Sequence, residues 1–436
     1  MKSPNFLFLF PDQHRGDWLP FDNETFRSFG LSPLPIKMPN IKNLMNSGIT
    51  FTRAITPSPL CAPARACLAS GFRYENCRVP DNKHDYPPDL PSFYSRLKNS
   101  GYRVAGAGKF DLHKKTNFWG LDGWVDLLGE IGFTDGIDNA GKIDAVNCGA
   151  ENPGDFNPRD PYMKLLIERG YAEAYIKDMK TRKHAVHPSV LPQDLYCDNY
   201  LTDNALNLLQ RFPQNQPWFL QVNFAGPHGP CDVTESMRKR WEDVNFPLPN
   251  QWNNNENADI RGIRQNYAAM LENIDSMIGK LIREVDERGE LGNTVIVYAS
   301  DHGEMLGDFG MFGKTKPQRA SIHIPLIISV PGIPGGIQND SLIELQDLAS
   351  TFLDMAGCNN DLASQSKSLV PLLTGKSGTH RKVQTSAYGD WSVIITANQK
   401  LVFNKGILRE IFNLEKDVWE NDNLLIDNDN TGNTNP

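Results

Sequence analysis

Short apolar runs alternate along this chain with longer stretches whose apolar residues recur at helical spacing. The run Phe6-Leu7-Phe8-Leu9-Phe10 has no polar alternation, as expected of a strand buried on both faces. The same pattern predicts strands over 103–107, 218–224, 294–299 and 325–330, and helices over 39–46, 91–99, 198–211, 260–288 and 345–355. In the longest helix Met270, Ile274, Met277, Ile278 and Leu281 form a stripe that reads as core. Strands alternating with helices specify an α/β domain with a mainly parallel sheet flanked by helices.

Two regions break the pattern. Residues 117–195 are irregular and rich in Gly, Asp and Asn, with one helix predicted near 162–177. A stretch of this kind in an α/β enzyme lies over the carboxyl edge of the sheet and shapes a substrate pocket. Beyond Met355, strand-like pieces at 386–388, 392–396, 400–403 and 409–413 predict a small antiparallel α+β subdomain. The expected organisation is a catalytic domain over 1–355 that includes the 117–195 insertion. A subdomain over 356–426 and a polar tail over 427–436 follow it.

Composition removes several alternatives. The chain has 436 residues, 39% hydrophobic and 22% charged, which excludes a disordered or low-complexity protein. A net charge of −8 argues against a general nucleic-acid binder. No apolar run approaches the roughly 18 residues of a membrane span. The five apolar residues at the start end in Pro11-Asp12-Gln13 without a cleavage site, so they read as a strand and not as a secretory signal. The expected location is cytoplasmic, or periplasmic or secreted if a leader has been removed. Seven cysteines without a CxxC pair read as thiols, one of them special, and not as a zinc ribbon or a disulfide scaffold.

Four predicted strands end in polar clusters: Asp12-Gln13, Lys109 to His113, Pro227-His228-Gly229-Pro230, and Asp301-His302-Gly303-Glu304. Ligands of open α/β sheets bind outside the carboxyl ends of the strands. If these strands are parallel neighbours, the clusters converge on one site. Asp12, Gln13 and Asp301 offer hard oxygens and His302 a nitrogen, a set that suits Ca²⁺, Mg²⁺ or Mn²⁺ better than structural zinc. A fifth cluster reads Cys61-Ala62-Pro63-Ala64-Arg65-Ala66-Cys67-Leu68-Ala69-Ser70-Gly71. Pro63 suits the first turn of a helix and Gly71 its end, which would put Cys61 at an anion-favouring helix N-terminus.

This fifth cluster resembles the signature of the formylglycine-dependent sulfatases, Cys-x-Pro-(Ser/Ala)-Arg-x-x-Leu-x-(Ser/Thr)-Gly, and matches it at every fixed position. The other clusters follow in that family's order, and the resemblance extends from residue 5 to about 425. It implies an alkaline-phosphatase-like fold and conversion of Cys61 to formylglycine by a maturation enzyme. One hydroxyl of the hydrated aldehyde would attack the sulfur of a sulfate ester, and the other would collapse to expel sulfate. Asp12, Gln13, Asp301, His302 and the modified Cys61 would hold one divalent ion, with calcium the first expectation and magnesium or manganese next. Arg65 would neutralise charge at the nucleophile, Lys109 and Lys314 would bind sulfate oxygens, and His228 would protonate the leaving alcohol.

Two departures from the family pattern stand out. Many members carry Lys-x-His where this chain has Lys109-Phe110-Asp111, so His113 is expected to take the histidine's place beside the nucleophile. Gln13 replaces a second Asp. The expected substrate is a sulfated carbohydrate or a small aryl or alkyl sulfate. A phosphonate monoester or phosphodiester hydrolase would use the same site, and a non-catalytic binding protein of the same fold is the third reading. Basic residues between Arg159 and His187, among them Arg182, Lys183 and His184, could form a patch for a polyanionic sugar.

Overall fold

The computed structural model describes residues 3–425 except 153–154, 253–258 and 363–364, and no side chains over 148–156; the polar tail expected over 427–436 lies outside the described residues. Among the described residues the central sheet consists of β1 (Asn5–Asp12), β2 (Ile49–Phe51), β3 (Arg103–Gly108), β4 (Asp135–Asp138), β5 (Trp218–Pro227), β6 (Thr294–Ala299), β7 (Leu326–Ser329) and β8 (Ile337–Asn339). Their order is β8-β2-β7-β6-β1-β5-β3-β4. Strands β6, β1, β5, β3 and β4 run parallel. β7 is antiparallel to both of its neighbours.

Side-chain alternation along β1 divides the core in two. Phe6, Phe8 and Phe10 belong to one layer and Leu7 and Leu9 to the other. The covering helices are α1 (Pro39–Ser47), α2 (Cys61–Ser70), α3 (Phe93–Asn99), α4 (Cys197–Gln210), α5 (Ile260–Glu287) and α6 (Asp347–Met355). Helices α2, α3 and α6 pack on the phenylalanine face, where Phe352 lies 5.4 Å from Phe6 and 5.3 Å from Phe93 between ring centroids. Helices α1, α4 and α5 cover the other face, and the apolar stripe of α5 is buried in it. Asp259 caps α5 by accepting from the Gly262 amide at 2.9 Å. The result is the expected α/β fold with a mainly parallel sheet.

The 117–195 stretch contributes more than a decoration. It supplies β4 to the sheet edge and folds the rest around its own core of Trp119, Tyr162, Met163, Leu166 and Tyr175. Two helices, Pro161–Glu168 and Ala172–Arg182, replace the single one predicted, because Gly170 turns left-handed between them (φ +76°).

The C-terminal strands β9 (Gln384–Tyr388), β10 (Trp391–Ile395), β11 (Gln399–Asn404) and β12 (Ile407–Asn413) form an antiparallel meander. Its inner face of Val393, Ile395, Val402 and Phe412 packs on Ile55 and Ile322. Leu362, Leu369 and Leu372 still belong to the main core, so packing changes hands near residue 384 and not at 356.

One contact locks the start of the chain to the meander side. The His323 ring is buried, its Nε2–H donates to the Thr52 carbonyl at 2.9 Å, and a Cβ on Gly16 would come within 2.7 Å of it. Burial, with help from Arg319, pushes the imidazole down to about 3. An unfolded histidine titrates near ~6.5. The unfolded chain therefore takes up the proton first, and stability falls as pH drops through this window. The slope from this group should approach ~1.4 kcal/mol per pH unit. Urea denaturation between pH 7 and 4 should show a shallower decline for His323→Gln, and identical slopes would disprove the assignment.

Candidate active site

The sheet order makes β6, β1, β5 and β3 consecutive parallel neighbours, so the four polar clusters do meet at one edge. Local backbone sets the aim of each. Gly108 closes β3 with φ +99°, and a Cβ there would lie 1.9 Å from the Asn223 carbonyl oxygen, so the strands can approach only at a glycine. The next amide, that of Lys109, donates to the same oxygen at 3.1 Å and turns its side chain into the site. Gln13 follows β1 with φ +72°, and its amide donates to Asp301 Oδ1 at 2.9 Å.

Helix α2 begins at Cys61 and ends at the left-handed Gly71. The Cys61 sulfur is buried, with Lys314 Nζ at 3.1 Å, Lys109 Nζ at 3.4 Å, His302 Nε2 at 3.4 Å and Asp12 Oδ1 at 3.8 Å. Burial and the Asp12 carboxylate raise its pKa, but Lys109, Lys314 and His302 outweigh them and hold the thiol well below its usual range. Position 61 is thus built to carry negative charge. Lys109 is hydrogen-bonded to Asp12, whose carboxyl is likewise held low: burial opposes ionisation, and Lys109, His228, Lys314 and Arg65 overcome it.

One ligand atom each from Asp12, Cys61, Asp301 and His302 lies within 4.8 Å of the others, and all four residues are buried. Two carboxylates, an imidazole and a polarisable side chain around one point fit a divalent cation. Gln13 stands beside them, but its amide is engaged elsewhere: the oxygen accepts from Lys314 Nζ at 2.8 Å and the nitrogen donates to Glu304. Arg65 spans the two carboxylates, 3.0 Å from Asp301 Oδ2 and 3.6 Å from Asp12 Oδ2.

His113 does not take the place expected of it. Its Nε2 is held by Asp138 at 2.6 Å, and none of the hydrogen bonds to Cys61 among the described residues comes from it. The chain turns at Asp111 (φ +52°) and carries His113 to a bridge with Asp85. Asp111 itself stays near the site, 3.2 Å from Lys109 and 2.9 Å from Lys114. Burial raises the Asp138 carboxyl although His113 opposes it, while Asp138 outweighs burial to raise His113.

Glu304 was visible in the fourth cluster without a role. Its carboxylate accepts from the Gln13 amide and from the backbone of Leu306 and Gly313, which ties down the loop that carries Lys314. Its position directly after Asp301-His302-Gly303 was the signal that could have found it. Asn223, which accepts from Arg65 at 3.2 Å, sits inside β5 and left no such mark.

Next to these groups lies a pocket of about 430 Å³, lined by Gln13, His228 and Lys314 together with Ile143, Lys183 and His184 of the insertion. Half-buried His228 donates from Nδ1 to the Gly229 carbonyl at 2.5 Å, which leaves Nε2 for a ligand in the pocket.

The sulfatase family model matches residues 4–358, and a model for the C-terminal part of N-sulphoglucosamine sulphohydrolase matches residues 307–433. The chain belongs to the sulfatase family. It is a sulfuric ester hydrolase. An arylsulfatase of Clostridium perfringens is 25% identical over 97% of this chain and 90% of its own. Among solved structures, a phosphonate monoester hydrolase of Agrobacterium radiobacter superposes with a TM-score of 0.77 at 23% identity, covering 98% of this sulfatase and 92% of that chain. A protein solved with its substrate D-glucosamine-2-N,6-O-disulfate gives 0.72 at 20% identity, covering 97% and 94%. These two likenesses establish fold alone.

If the four-residue group of this sulfatase binds a divalent ion, the ion stabilises the folded state by mass action, by ~4 kcal/mol at a thousandfold excess over Kd. Calcium, magnesium and manganese titrations followed by melting temperature should show a rise that Asp301→Asn abolishes. A rise of equal size in the variant would disprove the assignment.

Proposed function

We propose that this sulfatase cleaves the sulfate ester of a monosaccharide-sized or aryl alcohol, with Cys61 carried as formylglycine. The observation that carries the reading is the placement of residue 61. It begins a helix, inside a complete maturation motif, between two lysines and within reach of three metal-ligand side chains. A formylglycine-generating enzyme is the partner this requires. Formylglycine supplies a hydroxyl nucleophile that can be regenerated without water attacking the adduct. Asp12, Asp301, His302 and residue 61 would hold the ion, with calcium the first choice, and a bound cation lowers the pKa of an attacking hydroxyl and offsets its charge.

The rest falls to the chain's own side chains. Lys109 and Lys314 face the position of the sulfate oxygens and stabilise charge as it spreads in the transition state. Arg65 pairs with both Asp301 and Asp12 and offsets negative charge beside residue 61. His228, on the pocket side, places a proton on the departing oxygen. The apolar walls exclude water around these charges, which strengthens each of them.

A phosphonate monoester presents the same tetrahedral anion, and the likeness to the Agrobacterium enzyme makes it the second reading. Steady-state kcat/KM on 4-nitrophenyl sulfate and 4-nitrophenyl phenylphosphonate separates the two, with the sulfate expected to be faster and a phosphonate preference overturning the proposal. Cys61→Ala should abolish turnover, and Lys314→Ala should lower kcat by ~10²–10³. Mass analysis of the tryptic peptide over 54–65 should show the aldehyde in protein made beside a maturation enzyme. A persistent thiol in active protein would sink the covalent mechanism.

A further inference from the structure

The basic residues that close helix Ala172–Arg182 are the part of the insertion that reaches the pocket, and their roles separate. Arg182 is buried: it pairs with Asp178 at 2.5 Å and donates to the carbonyls of His187 and Pro188. His187 holds the other Asp178 oxygen at 2.9 Å. Arg182, which precedes the turn over 183–188, therefore holds the far end of that turn. The turn is pinned further by Asn266, which donates to the Val186 carbonyl at 3.2 Å, and by the Ser189 amide, which donates to Val233 at 2.7 Å.

Lys183 sits at the tip of this turn with φ +45° and ψ −106°, a conformation that persists only where the surroundings fix it. Lys183 and His184 line the same pocket as Gln13, His228 and Lys314. The His184 ring packs on Phe312 with centroids 4.5 Å apart and gives the pocket a flat wall. Lys183 is exposed and enters no ion pair among the described residues. The carboxylate among the lining residues is Glu304, which is taken up by Gln13, Leu306 and Gly313. The pocket is thus lined by two cations, Lys314 beside residue 61 and the unpaired Lys183 of the insertion, together with Ile143, Ile263 and Phe312. Its volume of about 430 Å³ lies at the small end of ligand pockets, enough for one ring and its substituents.

We infer that the leaving alcohol carries a second anionic group, a carboxylate or a second sulfate, which Lys183 Nζ binds while the reacting sulfate lies against Lys109 and Lys314. His184 and Phe312 cover the ring that joins the two anions. A cationic alcohol finds no free carboxylate on this wall. The inference rests on the sulfate-ester reading and names the substrate class within it.

The test compares 4-sulfooxybenzoate with 4-sulfooxybenzamide, which match in shape and differ in charge, on the metal-loaded formylglycine enzyme. The ratio of kcat/KM, benzoate over benzamide, should exceed one at low salt and shrink as salt is added. Lys183→Gln should lower that ratio about threefold to fivefold, the range of a partly exposed ion pair. Lys183→Glu should lower it further, and Lys183→Arg should restore most of it. A ratio unmoved by Lys183→Gln and Lys183→Glu, or a benzamide preference in the parent, overturns the inference. Failure to hydrolyse either ester strikes the sulfate-ester reading instead. Calorimetric binding of the two esters to the Cys61→Ala protein then decides the anion site, with tighter benzoate binding supporting it and equal binding removing it.

Discussion

The carboxylates of Asp12 and Asp301 lie side by side in the buried interior, and the guanidinium of Arg65 pairs with both. Arg65 does this from the second turn of helix α2, one turn after Cys61. Its other contacts reach the Lys109 carbonyl and Asn223 Oδ1. One side chain thereby ties residues at or near the carboxyl ends of β1, β6 and β3, and Asn223 within β5, to the helix that begins at Cys61. Loss of Arg65 would leave Asp12 to Lys109 and remove the partner that these segments share with Asp301.

The same arrangement resolves an apparent conflict in the charge of the protein. A net charge of −8 is poorly suited to attracting anions. Within the site the balance is local: Lys109, Lys314 and Arg65 surround position 61, and Lys183 lines the same pocket as Lys314. Charge at this short range governs binding, because salt screens the exposed remainder of the surface over about 10 Å.

Much of this could be read from the sequence, and what could not shares a physical cause. The strands β1, β5 and β6 are largely apolar runs, and the expected spans start within one residue of where the strands start, with β1 and β5 running two and three residues further. Strand β4 was missed because its four residues, Asp135–Asp138, begin and end in aspartate and lie at a sheet edge. The break at Gly170 and the turn at Asp111 both depend on the sign of one backbone angle. Periodicity carries no trace of that sign. The clustered residues Asp12, Asp301 and His302 were legible because each lies at the end of a strand or within three residues of it. The pairing of His113 with Asp138, like that of Glu304 with Gln13, is settled by contacts between segments distant along the chain.

The central position of β1 also bears on how the chain comes to its folded state. Its hydrogen-bonding partners are residues 219–227 and 294–298, so β1 gains its first neighbour after about half of these 436 residues have been made and its second only after about two thirds. Topologies dominated by such distant pairings fold slowly. Throughout that interval Phe6 to Phe10 is an incompletely paired apolar segment open to aggregation or to a chaperone. Cys61, 1% exposed once folding is complete, is open to solvent in the same interval. Any enzyme that modifies it competes against the folding clock, and the late arrival of β6 sets how long that clock runs.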